Sequence, residues 1–310
     1  MKQIDILPLI LICLMTLVTV SPALALEDPD VKDNEHSNHC SGSTPSSITQ
    51  PQPPQWDTFV RTTLFTGSRV HSYGGDLTMR EVDAGFAKKF SVTSRFELSS
   101  GLRYSLKDID APKDARLPRY LHRLALNIGG SYRMNDNFSL GLMVSPGLSS
   151  DFKVITSSDI RIPVALNARY QVSQRLTLMG GLMYAIGNHE LPLLPVIGAT
   201  YKPSEKWTFA LGFPRTGVTL KPNKATEYYI GGEFSGGEYR LHDASKGADI
   251  ISYRDYRAIT GFERTPCTTM KLGIAGGYSF ARKFDFRDSA RDDVKVNSAP
   301  FGRFELKFVW

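Results

Sequence analysis

From Trp56 to Trp310 the chain alternates apolar and polar residues with a period of two. That is the period of a β-strand, whose successive side chains point to opposite faces. Phe96, Leu98, Leu102 and Tyr104 share one face of such a run, and Arg95, Glu97, Ser99, Gly101 and Arg103 share the other. Leu124, Leu126, Ile128 and Tyr132 oppose Arg123, Asn127, Ser131 and Arg133 in the same way. Ile160, Ile162, Val164, Leu166 and Tyr170 oppose Asp159, Arg161, Asn167 and Arg169. Met270, Leu272, Ile274, Tyr278 and Phe280 oppose Lys271, Gly273, Gly277 and Ser279. Runs of about 9–11 residues cross a bilayer as tilted strands. The connections alternate between short turns, such as Met134–Asn137 and Pro203–Lys206, and longer loops, such as Ser149–Ser158 and Arg287–Ser298. This pattern predicts an all-β, antiparallel, up-and-down transmembrane β-barrel of 12–14 strands over residues 56–310, with short turns periplasmic and long loops extracellular.

The ends of the chain agree. In the last stretch Phe304, Leu306, Phe308 and Trp310 form one face, while Arg303, Glu305, Lys307 and Val309 form the other. This resembles the C-terminal assembly signal of bacterial outer-membrane β-barrels, an aromatic last residue with hydrophobics at alternate positions before it. The resemblance implies a barrel-assembly machinery as partner. An ordinary amphipathic strand is the competing reading. Residues 1–25 read as a secretory signal: Lys2, an apolar run from Ile6 to Val20, and the small-residue site Ala23-Leu24-Ala25. Residues 26–55, rich in Ser, Pro, Asn and Asp, bury too little apolar area to fold and are expected to form a disordered periplasmic tail. The family resemblance is carried by Gly212-Phe-Pro-Arg-Thr-Gly-Val218 and Gly231-Gly-Glu-Phe-Ser-Gly-Gly-Glu-Tyr-Arg-Leu241. These resemble an uncharacterised family of bacterial outer-membrane β-barrel proteins, which implies the barrel and the outer membrane but brings no activity and no site residues.

Composition narrows the choice further. The mean hydropathy of -0.21 suits a barrel, whose lipid and lumen faces average out. The net charge of +6 is spread along strands and turns, so no nucleic-acid patch is expected. A basic outer rim would instead meet anionic lipid headgroups. Of the three cysteines, Cys13 leaves with the signal, and Cys40 and Cys267 do not make a disulfide framework. The aromatics gather at strand ends. Trp56, Trp207 and Trp310 sit beside short turns, and Tyr104, Tyr120 and Tyr184 beside long loops, as two interfacial girdles would require.

Candidate chemistry is sparse. His36, His39 and Cys40 have loose metal-ligand character without a second ligand cluster. His189 and His242 lie in outer loops, where a lipid hydrolase would place a site, but no serine stands ready to be activated. No cofactor is expected. The inward positions carry Arg95, Arg103, Arg123, Arg161, Arg169 and Arg257 among the cations, and Asp255, Glu227 and Glu233 among the acids. They form either a wall braced by cross-strand ion pairs or a charged eyelet for small polar solutes. Between the Lys-Pro turns at Pro203 and Pro222 only about six residues remain for each strand, short of a full crossing. The Phe213-Pro214-Arg215-Thr216 turn is therefore expected to stop inside the membrane and turn inward, with Arg215 paired to Glu227 or Glu233. A full-height irregular hairpin with Arg215 at the outer surface is the alternative. The function expected from all this is a passive channel or small-solute transporter. The alternatives are a structural or interaction protein acting through its outer loops and, least favoured, a lipid hydrolase.

Overall fold

The computed structural model describes residues 55–188, 192–212, 215–287, 289 and 291–310. The signal peptide, the tail, the His36–Cys40 cluster, His189 and the Phe213-Pro214 tip lie outside the described residues, as does the side chain of Arg215. Sixteen strand segments follow in order: β1 Gln55–Arg69, β2 Asp76–Ser91, β3 Phe96–Asp110, β4 Tyr120–Arg133, β5 Phe138–Val144, β6 Gly147–Ser150, β7 Ile160–Gln171 and β8 Leu176–Ile186. After them come β9 Leu193–Tyr201, β10 Trp207–Gly212, β11 Arg215–Asn223, β12 Thr226–Arg240, β13 Ile250–Cys267, β14 Met270–Arg287, β15 Val294–Val296 and β16 Ala299–Val309.

These make fourteen staves. Segments β5 and β6 are one stave broken at Ser145-Pro146, since both pair with β4 and β7. Proline has no amide donor, which explains the break. Segment β15 is a short addition that pairs with β14 and, through one bridge, with Val70. Every other stave pairs antiparallel with its sequence neighbours. The sheet closes where β1 meets β16, Asp57 opposite Val309 through Phe65 opposite Phe301. Trp56 and Trp310 exchange backbone hydrogen bonds at the seam's end, 2.6 and 3.1 Å. The short turns β2–β3, β4–β5, β7–β8, β9–β10, β11–β12 and β13–β14 lie at the end that carries both termini of the barrel, and the long loops lie at the other, where β10 and β11 also join. These are called the terminal end and the loop end.

The outward positions are apolar and exposed, as lipid contact requires: Leu178, Leu182, Leu211, Ile230, Ile274 and Phe304 among them. Leu306 and Phe308 share the outward parity of Phe304, and Trp310 is exposed at the terminal end. The strands are longer than the sequence pattern implied. Segments β13 and β14 each run 18 residues. Lys107 is inside β3, because pairing with β4 continues to Asp108 opposite Tyr120. A charged run ends a membrane crossing but does not end a β-ladder, which carries on into water.

Inside the loop end, inward side chains pack on one another. Phe65, Leu77, Met79, Ile109, Leu121, Tyr253, Phe284 and Phe301 from the strands join Leu117, Leu241 and Val294 from the loop side in one buried cluster. The loop end of the barrel is therefore closed by a dry apolar core. Arg291 ties the loops over it. Its guanidinium donates to the carbonyls of Ala115, Arg116 and Lys246, and lies 3.7 Å from the centre of the Phe286 ring.

Candidate functional site: the lumen

Beneath the apolar core lies a layer of charge. Arg257 on β13 donates to Asp255 at 2.7 Å and pairs with Glu81 on β2 at 2.8 Å. Lys107 on β3 bonds the same Glu81 carboxylate. Arg303 on β16 donates to Glu233 on β12 through both terminal guanidinium nitrogens, one bond measuring 3.1 Å. Arg61 on β1 makes a two-pronged contact with Glu305, 2.9 and 3.1 Å. Asp83 takes Arg103 at 3.0 Å. Asp255 also accepts from Ser279 at 2.7 Å, and it is fully buried.

Two of these pairs do not join neighbouring strands. Between β13 and β2 stand β14, β16 and β1, and between β16 and β12 stand β14 and β13. The Arg257–Glu81 and Arg303–Glu233 pairs are chords that cross the lumen. Each sets an arginine and a carboxylate against one another across the bore. The Arg257 guanidinium stacks on Phe65 at 4.9 Å from the ring centre, so the charged layer rests directly on the core.

The other sequence candidates are distributed. Glu227 sits near the terminal end, between Lys221 at 3.1 Å and Lys271 at 3.3 Å. Arg161 lies near the loop end and reaches Glu238 on β12 at 3.2 Å. Arg169 is exposed on β7 near the terminal end, and Arg95 is in the β2–β3 turn rather than in the bore. Arg95 lies there because β3 begins only at Phe96 and the turn residue escapes the alternation. Arg215 has its backbone opposite Glu233 in the β11–β12 register, while the expected pairing of its side chain lies outside the described residues. Arg123 points into the bore and stacks on Tyr239, 5.8 Å from the ring centre. A Cβ on Gly237 would stand 3.1 Å from its guanidinium, so glycine there leaves it room.

Lys107, Arg61, Glu238 and Arg282 were not among the sequence candidates. Lys107 was hidden by its loop-like neighbours. Arg282 points inward, donating to Ser68 at 2.6 Å, only because a register shift near Arg254 and Tyr256 changes the parity of β14. Parity continued from Met270 would have put it outside. Among the histidines, His242 bonds Asp159 at 2.7 Å, and His122 bonds Tyr104 at 2.8 Å on the outer face.

The chord pairs, Arg103 and Arg123 surround a cavity of about 640 Å³. Its wall is uneven. Inward positions on β8 to β10 are uncharged, Met179, Gly181, Met183, Leu194, Val196, Gly198, Thr200, Thr208 and Ala210 among them. On β11 the inward positions Gly217 and Thr219 lie between Arg215, in register with Glu233, and Lys221, paired with Glu227.

An apolar outside, closed antiparallel pairing and a charged bore define a transmembrane β-barrel of the bacterial outer-membrane class. The chain belongs to the family described as Domain of unknown function (DUF6268), which it matches over residues 91–294. No curated protein matches it. Solved structures similar to the chain include a Pseudomonas aeruginosa FadL homologue, at 10% identity over 83% of this chain and 90% of that one, TM-score 0.48. An outer membrane channel from Pseudomonas putida F1 is similar at 11% identity over 83% and 95%, TM-score 0.48. The TodX deltaS2S3 mutant monoaromatic hydrocarbon channel is similar at 10% identity over 84% and 90%, TM-score 0.49.

Proposed function

We propose that the protein is an outer-membrane channel or transporter for a small solute, exported by a cleaved signal over residues 1–25 and inserted by the barrel-assembly machinery through its C-terminal strand. The terminal end is then periplasmic and the loop end extracellular. The observation that carries this reading is the cavity of about 640 Å³ held open among charged side chains at the middle of the bore. A purely structural barrel has no need to keep Arg103 half-exposed in its lumen, 49% accessible, when packing would cover it. The sealed loop end makes this a gated path rather than an open pore.

The test is planar-bilayer conductance of the purified protein together with solute flux into liposomes. Current or flux that responds to Arg103→Gln is expected, and a barrel silent in both assays refutes the reading. The second reading, an interaction protein working through its loops, draws on the closed loop end and on the Arg291 ties. Deleting residues 288–298 separates the two: a channel changes conductance or gating, and an adhesin loses a partner while any conductance persists.

A further inference from the structure

The connections at the loop end bury most of their apolar residues. Leu117, Leu241 and Ala248 in the loops and Val294 on β15 all join the core. The β6–β7 loop, residues 151–159, does the opposite. Val154 is 55% exposed and Ile155 61%, and among the described residues no other large apolar side chain of these connections is exposed. Single apolar residues on a surface are ordinary, but an adjacent pair marks a contact face. Of residues 152–158 only Lys153 is charged, and its ammonium is turned away to Asp243 at 2.6 Å.

The loop lies against the outer wall. At Phe152 the backbone enters the left-handed region, φ 52°, which is uncommon for a bulky residue. The turn is held by Phe152 N–H donating to Ser150 Oγ at 3.2 Å and by Lys153 N–H donating to Asp151 Oδ1 at 3.3 Å. It lays the Phe152 ring on His122, centres 4.9 Å and planes 14° apart. His122 faces outward on β4 with Tyr120, Leu124, Leu126 and Ile128, and the loop rejoins the wall at Ile160, outward on β7 and exposed. Tyr132, near the terminal end of β4, is ten residues from His122. At a rise of about 3.4 Å per residue and a tilt of about 40°, that is about 25 Å along the membrane normal, the height of the apolar band of such barrels. Phe152 therefore stands at the upper edge of that band, and Val154 and Ile155 follow it at the boundary of acyl chains and headgroups.

The ends of the same loop grip the roof of the barrel. Asp151 accepts from the His242 backbone N–H at 3.1 Å, and the buried Asp159 bonds His242 Nε2 at 2.7 Å. Beside them Asp151 N–H donates to the Arg240 carbonyl at 3.1 Å, and Ser149 donates to the Glu238 carbonyl at 2.7 Å. Arg161 on β7 pairs with Glu238 at 3.2 Å. These contacts join β6 and β7 to the loop end of β12, although β8 to β11 stand between them in the ring. We propose that the β6–β7 loop is a membrane-anchored clamp. Phe152, Val154 and Ile155 seat in the lipid leaflet on the loop-end side, and the two aspartates carry that hold to His242 and keep the β12–β13 loop in place over the core. The occupant is lipid because the face continues the lipid-facing wall and presents no charge. The clamp does not depend on what the bore carries.

The test uses the protein in phosphatidylcholine nanodiscs, with Cys40 and Cys267 replaced by serine. An environment-sensitive fluorophore is placed on Ile155→Cys or, as control, on Lys113→Cys in the β3–β4 loop. Emission from position 155 is expected to be blue-shifted and to be quenched by lipid brominated near the headgroup end of its chains, at least about twofold more than emission from position 113. Val154→Ser combined with Ile155→Ser should quicken hydrogen exchange in residues 241–249 about tenfold, because apolar burial no longer holds the clamp. If the double variant does not insert, Ile155→Ser alone takes its place. Quenching at position 155 by aqueous iodide and not by brominated lipid overturns the proposal. Shielding that is present in proteoliposomes but lost in single-copy nanodiscs assigns the face to a second copy and overturns it too. Lipid quenching with unchanged exchange at residues 241–249 refutes the clamp.

Discussion

Two arcs of the same barrel meet the bilayer differently. The arc from β12 through β16 to β3 has strands of 15 to 18 residues, apart from the 11 residues of β16, and its inward face is charged. The arc from β9 to β11 has strands of 9, 6 and 9 residues, and its inward positions are uncharged apart from Arg215 and Lys221 on β11. Long strands project beyond the bilayer, so their inward residues pack a core that closes the loop end. Short strands cannot, and the wall ends with them. Most of the buried charges stand on the long arc, where the same, neighbouring or facing strands supply partners, because an ion buried without a partner costs several kcal/mol. The closed end and the cavity beneath it thus follow from one difference in strand length.

The largest expected effect is on assembly. Both Trp310 and Trp207 stand at the terminal end, one on the closing seam of the long arc and one on the short arc. Trp310→Asp should leave export intact and stop insertion, so that the protein accumulates in the periplasm or is degraded. Trp207→Asp should insert and melt earlier. Cell fractionation reads both, and equal outer-membrane levels of the two variants would remove any special role for the C-terminal strand.

Next comes the charged layer. Glu81→Gln leaves Lys107 without its carboxylate and Arg257 without its closest partner across the bore, and should cost about 3–5 kcal/mol. Thr208→Val on the inward face of β10 should stay within about 0.5 kcal/mol. Heat-modifiability on gels, with unfolding curves in detergent, compares them. If both changes were small, the chords would be incidental rather than structural.

Arg291→Ala should cost less, about 1.5–3 kcal/mol for the lost bonds to three carbonyls. The cost should appear as faster proteolysis of loops 111–119 and 241–249 and as larger or noisier bilayer currents. Unchanged loop protection would show that the core closes the end without this tie.

The smallest effect concerns pH. Asp243, held by Lys153 at 2.6 Å and by Ser245, titrates well below the ordinary aspartate range. A lowered value in the folded state means that the contact stabilises at neutral pH and is lost as pH falls through and below about 4. At this exposed site the gain is about 1 kcal/mol or less. Protease sensitivity of the β6–β7 and β12–β13 loops should rise between about pH 7 and about pH 3, and Asp243→Asn should flatten that rise.

Much of this was written locally in the chain. A period of two needs only neighbouring residues, so the strands, their faces and the sidedness of their turns could be read from stretches such as Phe96–Tyr104. The early stop of the β10–β11 hairpin was legible too, because the distance between two Lys-Pro turns limits what the chain between them can span. What the tertiary structure alone decided is who meets whom across the bore. Arg257 and Glu81 are 176 residues apart, and only closure of β1 on β16 brings them to 2.8 Å. Inward parity names candidates for a lumen, but it is blind to height along the axis. It therefore could not separate Arg257 and Glu233, which join the chords, from Arg95 and Glu227, which do not. Pairing across a lumen depends on strand order, tilt and register summed around the whole ring, and no single stretch of sequence carries that sum.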